Sequence, residues 1–416
     1  MITPPRPVDV NYDENEVPPY ALPDPLRDAD GTRITSARRW FDERRPELLA
    51  IFASQVYGRA SRTLAVAITS RRVEPRALRG LATLHEIEVR VASPLPEAQR
   101  SALSFDVALW LPNQVVSAAP AFIGLNFVGN QSVSRDPSIR LARGWVPNRF
   151  ESGIRDFVAT EASRGCESGR WPLELIVGRG YAVATTYAGD FDPDYDDGFQ
   201  NGAHGLFLRP GARPAADEWG SIGAWAWGMR HMLDVLSLEP RIDAQRVVVT
   251  GHSRFGKAAL WAAALDERFA MAIANNSGRG GAALSRRRFG ELTRDLNRRF
   301  PHWFCQNFRR YDGREHELPV DQHALLALLA PRPAYVASAS LDGWADPRGE
   351  YLACLGADPV FRLLGCDGVA GAGPEAPLGV SVGGTLGYHL RAGGHDITAE
   401  DWRHFLNFAD RHLPAR

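Results

Sequence analysis

Arg246-Val247-Val248-Val249-Thr250, Gly251-His252-Ser253-Arg254-Phe255-Gly256-Lys257 and Ala258-Ala259-Leu260-Trp261-Ala262-Ala263-Ala264-Leu265 follow one another without interruption. The first run is β-branched and predicts a buried strand; the last is rich in alanine and predicts a helix. Between them a serine stands on a tight turn among small residues. Such a strand-to-helix turn holds a hydroxyl clear of the sheet, where it can act as a nucleophile. Lys257 is the one lysine in a chain whose Lys+Arg count is 48. Four residues after Ser253 on a helix, its side chain returns to the serine's own face.

Outward from this stretch, short apolar runs alternate with helical patterns. Strands are predicted at Ala121 to Phe127, Tyr181 to Tyr187, Arg246 to Thr250, Met271 to Asn275, Ala334 to Ser338 and Gly387 to Arg391. Helices are predicted at Trp219 to Leu236, Lys257 to Leu265, Gln322 to Leu329 and Ala399 to His412. Glu86 to Val91 and Phe105 to Leu111 alternate polar with apolar and predict an antiparallel pair, joined through Pro-Leu-Pro and Gln-Arg-Ser. Alternating β and α elements imply a mostly parallel central sheet flanked by helices in three layers, and the serine turn makes this an α/β-hydrolase fold. Residues 1–80 read as an N-terminal arm and helices packed on the body. The arm, rich in Pro, Asp and Asn, runs from Met1 to about Leu26, and helical spacing follows from Arg33 to Tyr57. Residues 81–416 form the catalytic domain, a single domain overall.

Composition bounds the function. Hydrophobic content of 44% with 23% charged residues is that of a globular protein. A net charge of -1 supplies no field for nucleic acid or an anionic membrane. No apolar run is long enough to cross a bilayer. The first residues lack the charged and apolar regions of a signal peptide, which leaves the compartment open. Cys166, Cys305, Cys354 and Cys366 are too few for a disulfide framework; Cys354 and Cys366 could pair in an oxidising compartment, but free thiols are the commoner arrangement. No Cys-x-x-Cys or His-Glu-x-x-His occurs, so no metal or other cofactor is expected. Gly189 to Gly198 has the look of a calcium loop, but neither register supplies both the mid-loop glycine and the closing glutamate and Pro193 stiffens its middle, so Asx turns are predicted instead.

A serine hydroxyl needs a base, and in this fold the partners follow in the order serine, acid, histidine, each on a loop after a strand. His395 lies in Ala392-Gly393-Gly394-His395-Asp396, beyond the last predicted strand. A helix then starts at Thr398, with Glu400 and Asp401 in its first turn. His389 reads as a packed strand residue, and His404 and His412 as surface residues of the last helix. Asp342 follows the strand ending at Ser338 and is the expected acid; Asp346, beside Pro347, is the rival and better suited to capping a turn. The backbone N–H of Arg254 is expected at the oxyanion, and its guanidinium reads either as a second donor there or as a salt bridge on the helix face. Lys257 reads either as surface charge on a helix or as a substrate contact, and its singularity favours the contact. Several tryptophans (Trp145, Trp171, Trp303, Trp344) fall in predicted loops, where they can pack or receive sugar rings.

Gly251-His252-Ser253-Arg254-Phe255-Gly256-Lys257 resembles the Gly-x-Ser-Arg-x-Gly-Lys signature of carbohydrate esterase family 15, the glucuronoyl esterases. Asn126 to Asn130, Asn275 to Gly278, Gly280 to Ala283, Phe300 to Phe304, Leu318 to His323, Ala330 to Pro333 and Trp344 to Pro347 are similar to bacterial members, as is the arm from Asn11 to Leu26. The resemblance implies hydrolysis of the ester between 4-O-methyl-glucuronic acid of glucuronoxylan and lignin alcohols. It implies Ser253 as nucleophile, His395 as base, Arg254 at the oxyanion, and Lys257, Glu291 and Trp344 against the glucuronoyl group. It also implies a secreted or periplasmic protein and a shallow, open site; a monomer is expected. Fungal members carry the acid where this chain has Asn276, so the carboxylate must come from the later strand, at Asp342. A broad carboxylesterase or acetyl-xylan esterase would use the same machinery. A carbohydrate-binding protein on a disused hydrolase scaffold would need no intact triad.

Overall fold

The computed structural model describes residues 10–95 and 102–414. The Gln-Arg-Ser link and the first nine residues of the arm lie outside them. The described chain packs as two compact units. One holds Ala60–Pro214 and Ala224–Val249; the other holds the arm and helices up to Arg59, Ala215–Gly223 and everything from Thr250 onward. Residues 1–80 are therefore shared between the units.

In the first unit the strands are β1 (Val66–Ala77), β2 (Ala82–Ala92), β3 (Ala102–Pro112), β4 (Ala119–Asn126), the two-residue β5 (Ile154–Arg155) and β6 (Val158–Ala159), β7 (Ala182–Tyr187) and most of β8 (Ile242–His252). The sheet order here is β1-β2-β3-β7-β4-β8, with β5 and β6 apart. The first four neighbours run antiparallel, whereas β4 is parallel to both β7 and β8. Every residue of β4 and β7 is buried, the continuous apolar pattern of a strand covered on both faces. The predicted pair of Glu86 to Val91 with Phe105 to Leu111 is β2 with β3, in the register Glu86 opposite Ala108. The loop at Asp190 to Gly198 is held by Asx bonds, with Asp196 Oδ1 accepting from Gly198 N at 3.2 Å and Asp197 Oδ1 from Phe199 N at 2.7 Å.

In the second unit the strands are β9 (Met271–Asn275), β10 (Ala334–Ala339), β11 (Ser381–Gly383) and β12 (Leu386–Arg391), in the order β9-β10-β12-β11. β10 runs parallel to β9 and β12, so the loops after all three leave the sheet at the same end. The helix Arg254–Leu265 packs on β9, and the helices Pro347–Leu363 and Ala399–His412 on β12. The described part of the arm is tied down at several points. Asn11 O accepts from Gly290 N at 2.9 Å, Glu14 pairs with Arg287 at 2.7 Å, and Pro23 O meets His323 Nε2 at 2.7 Å. All four cysteines are free thiols.

His404 and His412 depart from expectation. Both are half-buried: His404 stacks on His389 with ring centroids 4.3 Å apart, and His412 Nε2 lies 3.1 Å from Gly384 O. Their flat rings pack on the sheet side of the last helix, which a count of polar atoms does not foresee.

Between β8 and the helix Arg254–Leu265, Ser253 takes φ 57° and ψ −129°, a conformation that costs free energy for any residue with a Cβ. The turn closes only because Gly251 leaves room: a Cβ there would lie 2.0 Å from Phe255 O. Gly256 is constrained too, since its Cβ would meet Ser277 Cβ at 2.9 Å. Replacement of Gly251 by alanine is expected to cost about 1–3 kcal/mol or more, the range of an overpacked interior. Urea denaturation checks this, and an unchanged midpoint would show that the turn relaxes freely.

Candidate active site

Ser253 sits at the tip of this turn, half-buried, with its backbone N–H donating to Asn275 O at 2.9 Å. The N–H groups of Arg254 and its successors open a helix, where their dipoles favour negative charge. Three residues beyond the end of β10, Asp342 is buried with 2% exposure. Its Oδ2 accepts from His395 Nδ1 at 2.6 Å and from Asn276 Nδ2 at 2.9 Å. Burial alone would raise the Asp342 carboxyl, but these donors hold it below the usual range. With Nδ1 committed to the carboxylate, the His395 imidazole presents Nε2 as its free base.

His395 itself is 40% exposed, on the loop that follows β12. Its ring lies 4.7 Å from that of His252, the neighbour of Ser253. No hydrogen bond joins the Ser253 hydroxyl to His395 among the described residues. Serine–histidine contacts of unliganded sites commonly tighten only when substrate binds. Asp346 takes a different place. Its Oδ1 caps the helix Pro347–Leu363 through Gly349 N at 2.9 Å, and its Oδ2 accepts from Arg287 Nε at 2.9 Å.

Lys257 is buried rather than displayed on the helix surface. Its Nζ donates to Ser277 O at 2.5 Å and Arg279 O at 2.7 Å, and lies 4.0 Å from Glu291 Oε2. The other oxygen, Glu291 Oε1, accepts from Trp344 Nε1 at 3.0 Å. Burial pushes the lysine down and the glutamate up, while each opposes the other's shift. Trp303 lies beneath both cations, 5.8 Å from the Arg254 guanidinium carbon and 5.9 Å from Lys257 Nζ. Arg299 covers the Trp344 ring at 5.1 Å. Trp145 packs against Tyr195 and Phe157 in the first unit, and Trp171 is buried there.

Two neighbours, Arg299 and Glu350, carry no signal in the sequence, and a third, Asn276, is marked there only by its departure from the fungal pattern. Asn276 donates its amide to Asp342, and Arg299 orients Trp344. Glu350, fully buried, accepts from Ser338 Oγ at 2.6 Å, Ser277 Oγ at 2.8 Å and Gly278 N at 2.9 Å. It ties the strand that leads to Asp342 to the loop whose carbonyls hold Lys257. Proximity in the fold alone reveals such roles.

A strained serine turn, a buried carboxylate–histidine pair from later strands and a helix N-terminus beside the serine define a serine hydrolase layout on an α/β-hydrolase fold. The family description "Glucuronyl esterase, fungi" matches residues 214–365. A promiscuous esterase of carbohydrate esterase family 15 from a marine bacterial metagenome is 44% identical in sequence, superposes with a TM-score of 0.89 and covers 97% of this chain, which spans 100% of that one. The glucuronoyl esterase of Solibacter usitatus is 42% identical with a TM-score of 0.86, over 96% of this chain and 100% of that one. The 4-O-methyl-glucuronoyl methylesterase 1 of Phanerochaete chrysosporium is 38% identical over 161 residues, 35% of this chain and 33% of that protein. The chain belongs to carbohydrate esterase family 15.

Burial pushes the Glu350 carboxyl up to about 7, against its three donors and with the nearby Asp342 charge adding to the rise. The folded chain therefore keeps a proton that the unfolded chain loses above its ordinary value of 4.5. Stability is lost as pH rises from there through about 7, by up to roughly 1.4 kcal/mol per unit from this one group. Urea denaturation of Glu350→Gln across that window is expected to show a shallower decline than wild type. Parallel declines would show that Glu350 does not titrate there.

Proposed function

We propose that this chain is a glucuronoyl esterase, cleaving the ester between 4-O-methyl-glucuronic acid of glucuronoxylan and lignin alcohols. The observation that carries this reading is the Lys257–Glu291–Trp344 cluster, set on the helix and loops that flank Ser253. A buried ammonium, a buried carboxylate and an aromatic edge suit a sugar acid with free hydroxyls. They have no purpose for an acetyl group. Relatives named as glucuronoyl esterases support the same substrate class. Esters of this kind belong to plant cell-wall polymers, so the work is done outside the cell that makes the enzyme.

In the proposed reaction, the Ser253 hydroxyl attacks the uronoyl carbonyl carbon while His395 Nε2 takes its proton. Asp342 holds the imidazolium through Nδ1. The oxyanion meets the Arg254 backbone N–H and guanidinium, which Trp303 supports from below. Collapse of the tetrahedral intermediate breaks the bond to the alcohol oxygen, which His395 protonates as it leaves. Water then attacks the acyl-enzyme, its proton passing to His395, and the uronic acid departs as Ser253 regains its hydrogen. No cofactor takes part. The exposed edge of His395 suits a branch point on a polymer.

A broader carboxylesterase is the second reading, favoured by the relative described as promiscuous. Comparing kcat/KM on benzyl glucuronate and p-nitrophenyl acetate separates the two. The glucuronate is expected to be preferred, with activity on both lost in Ser253→Ala. Asp342→Asn is expected to lower kcat by about 10⁴-fold; a variant that keeps near-normal turnover while Asp346→Asn loses it would overturn the assignment. Lys257→Ala is expected to lose about 10- to 100-fold in kcat/KM on the glucuronate, about 1.4–2.7 kcal/mol of transition-state stabilisation, and far less on the acetate. Equal losses on both would make Lys257 part of the scaffold instead.

A further inference from the structure

We propose that Asp401, a carboxylate outside the Ser253–Asp342–His395 set, is a positioning residue that fixes both the loop of His395 and the turn of Ser253. The proposal rests on the reading of those three residues as the catalytic triad.

Asp401 lies in the first turn of the last helix and shares a capping box with Thr398. A cap needs one oxygen and is ordinarily wet. Asp401 is fully buried, and its two oxygens accept from five donors. Oδ2 takes the Thr398 N–H and hydroxyl at 2.7 and 2.9 Å, and also Arg391 Nε at 2.8 Å. Oδ1 takes Asn275 Nδ2 at 3.2 Å and pairs with His389 Nε2 at 3.0 Å. Burial would raise this carboxyl, but its partners hold it below the usual range, so it stands ionised among them.

Two arms leave this hub. Along the first, Arg391 donates to three carbonyls of the loop that carries His395: Ala392 O at 2.8 Å, Gly394 O at 2.9 Å and Asp396 O at 2.6 Å. Gly393 and Gly394 give that loop no stiffness of its own. The position of the His395 ring therefore follows from the guanidinium, and the guanidinium from Asp401. Along the second arm, Asn275 turns its Oδ1 to His252 Nδ1 at 2.6 Å and its backbone O to Ser253 N at 2.9 Å. One asparagine thus holds the serine turn at two adjacent residues, and Asp401 fixes that asparagine's amide. The arms meet again where the His252 and His395 rings approach to 4.7 Å. A helix cap alone explains neither Arg391 nor Asn275.

Asp401→Asn tests this, because an amide NH₂ cannot accept from so many donors. In the folded variant kcat is expected to fall about 10- to 100-fold on benzyl glucuronate and on p-nitrophenyl acetate alike, with KM little changed, the pattern of a displaced catalytic group. The downfield proton resonance of His395 Nδ1–H against Asp342 is expected to broaden or move. A folded Asp401→Asn enzyme with wild-type kcat and an unmoved resonance would reduce Asp401 to a helix cap and overturn the proposal. Should that variant fail to fold, Asn275→Leu cuts the second arm alone and is read by the same two measurements. Ser253→Ala in the same assays keeps the two claims apart. Turnover surviving Ser253→Ala would sink the esterase site itself, and the proposal with it. Turnover lost in Ser253→Ala but kept in Asp401→Asn would sink only the role of Asp401.

Discussion

The backbone at Ser253 is the constraint on which the rest of the second unit depends. A residue with a Cβ held at φ 57° is unfavourable by itself, and it persists because its surroundings leave no alternative. Gly251 and Gly256 give the turn its room, Asn275 O fixes its N–H, and the buried helix Arg254–Leu265 departs from it at once. That departure settles where everything else can stand. Arg254 is the first residue of the helix, and Lys257 is one turn further along the same face. The strain and the chemistry share one origin: a hydroxyl lifted off the sheet toward the end where the loops after β9, β10 and β12 converge.

Those loops bring many charges out of water, and each is costly there unless hydrogen-bonded. Four of the buried carboxyl groups there have several hydrogen-bond partners each. Asp342 has the imidazole and an amide, Asp346 a guanidinium and a cap, Asp401 five donors, and Glu350 two hydroxyls and a backbone N–H. Lys257 is satisfied by two carbonyls before it reaches Glu291. Such arrangements contribute little net stability, since desolvation offsets much of the attraction. Their effect is geometric: a polar group with several partners has one place to be, whether ionised like Asp342 or still protonated toward pH 7 like Glu350.

The sequence was most legible where one interaction dominates. Strands covered on both faces show as unbroken apolar runs, and β9 and the last helix coincide with their predicted limits to the residue. β1 was not foreseen because an edge strand can carry Arg71, Arg72, Glu74 and Pro75 outward without penalty. The long helix Pro347–Leu363 was hidden by Gly349, Gly356 and an internal Pro359, which local propensity counts against a helix. Chain order led to Asp342 and His395, a pair that the fold does bring within hydrogen-bond distance. Arg299, Glu350 and Asn275 were illegible as site residues because their meaning lies in partners 12 to 126 positions away, which no local pattern encodes.

Asn276 bears directly on the charge of Asp342. Fungal relatives, by the resemblance of sequence, place a glutamate there; an amide at that position has no charge to offer an imidazolium. Here the backbone of Asn276 takes φ 46°, turning its Nδ2 onto Asp342 Oδ2, the same oxygen that receives His395 Nδ1. The residue at the position of the fungal glutamate is thus a hydrogen-bond donor to Asp342. It favours the ionised carboxylate, as does the histidine, and helps to offset the burial that would otherwise protonate it. A glutamate at 276 would set two carboxylates against one imidazole and raise the pKa of both. On the proposed reading of Asp342 as the acid, an amide rather than a carboxylate at 276 keeps one charge, not two, beside the imidazole.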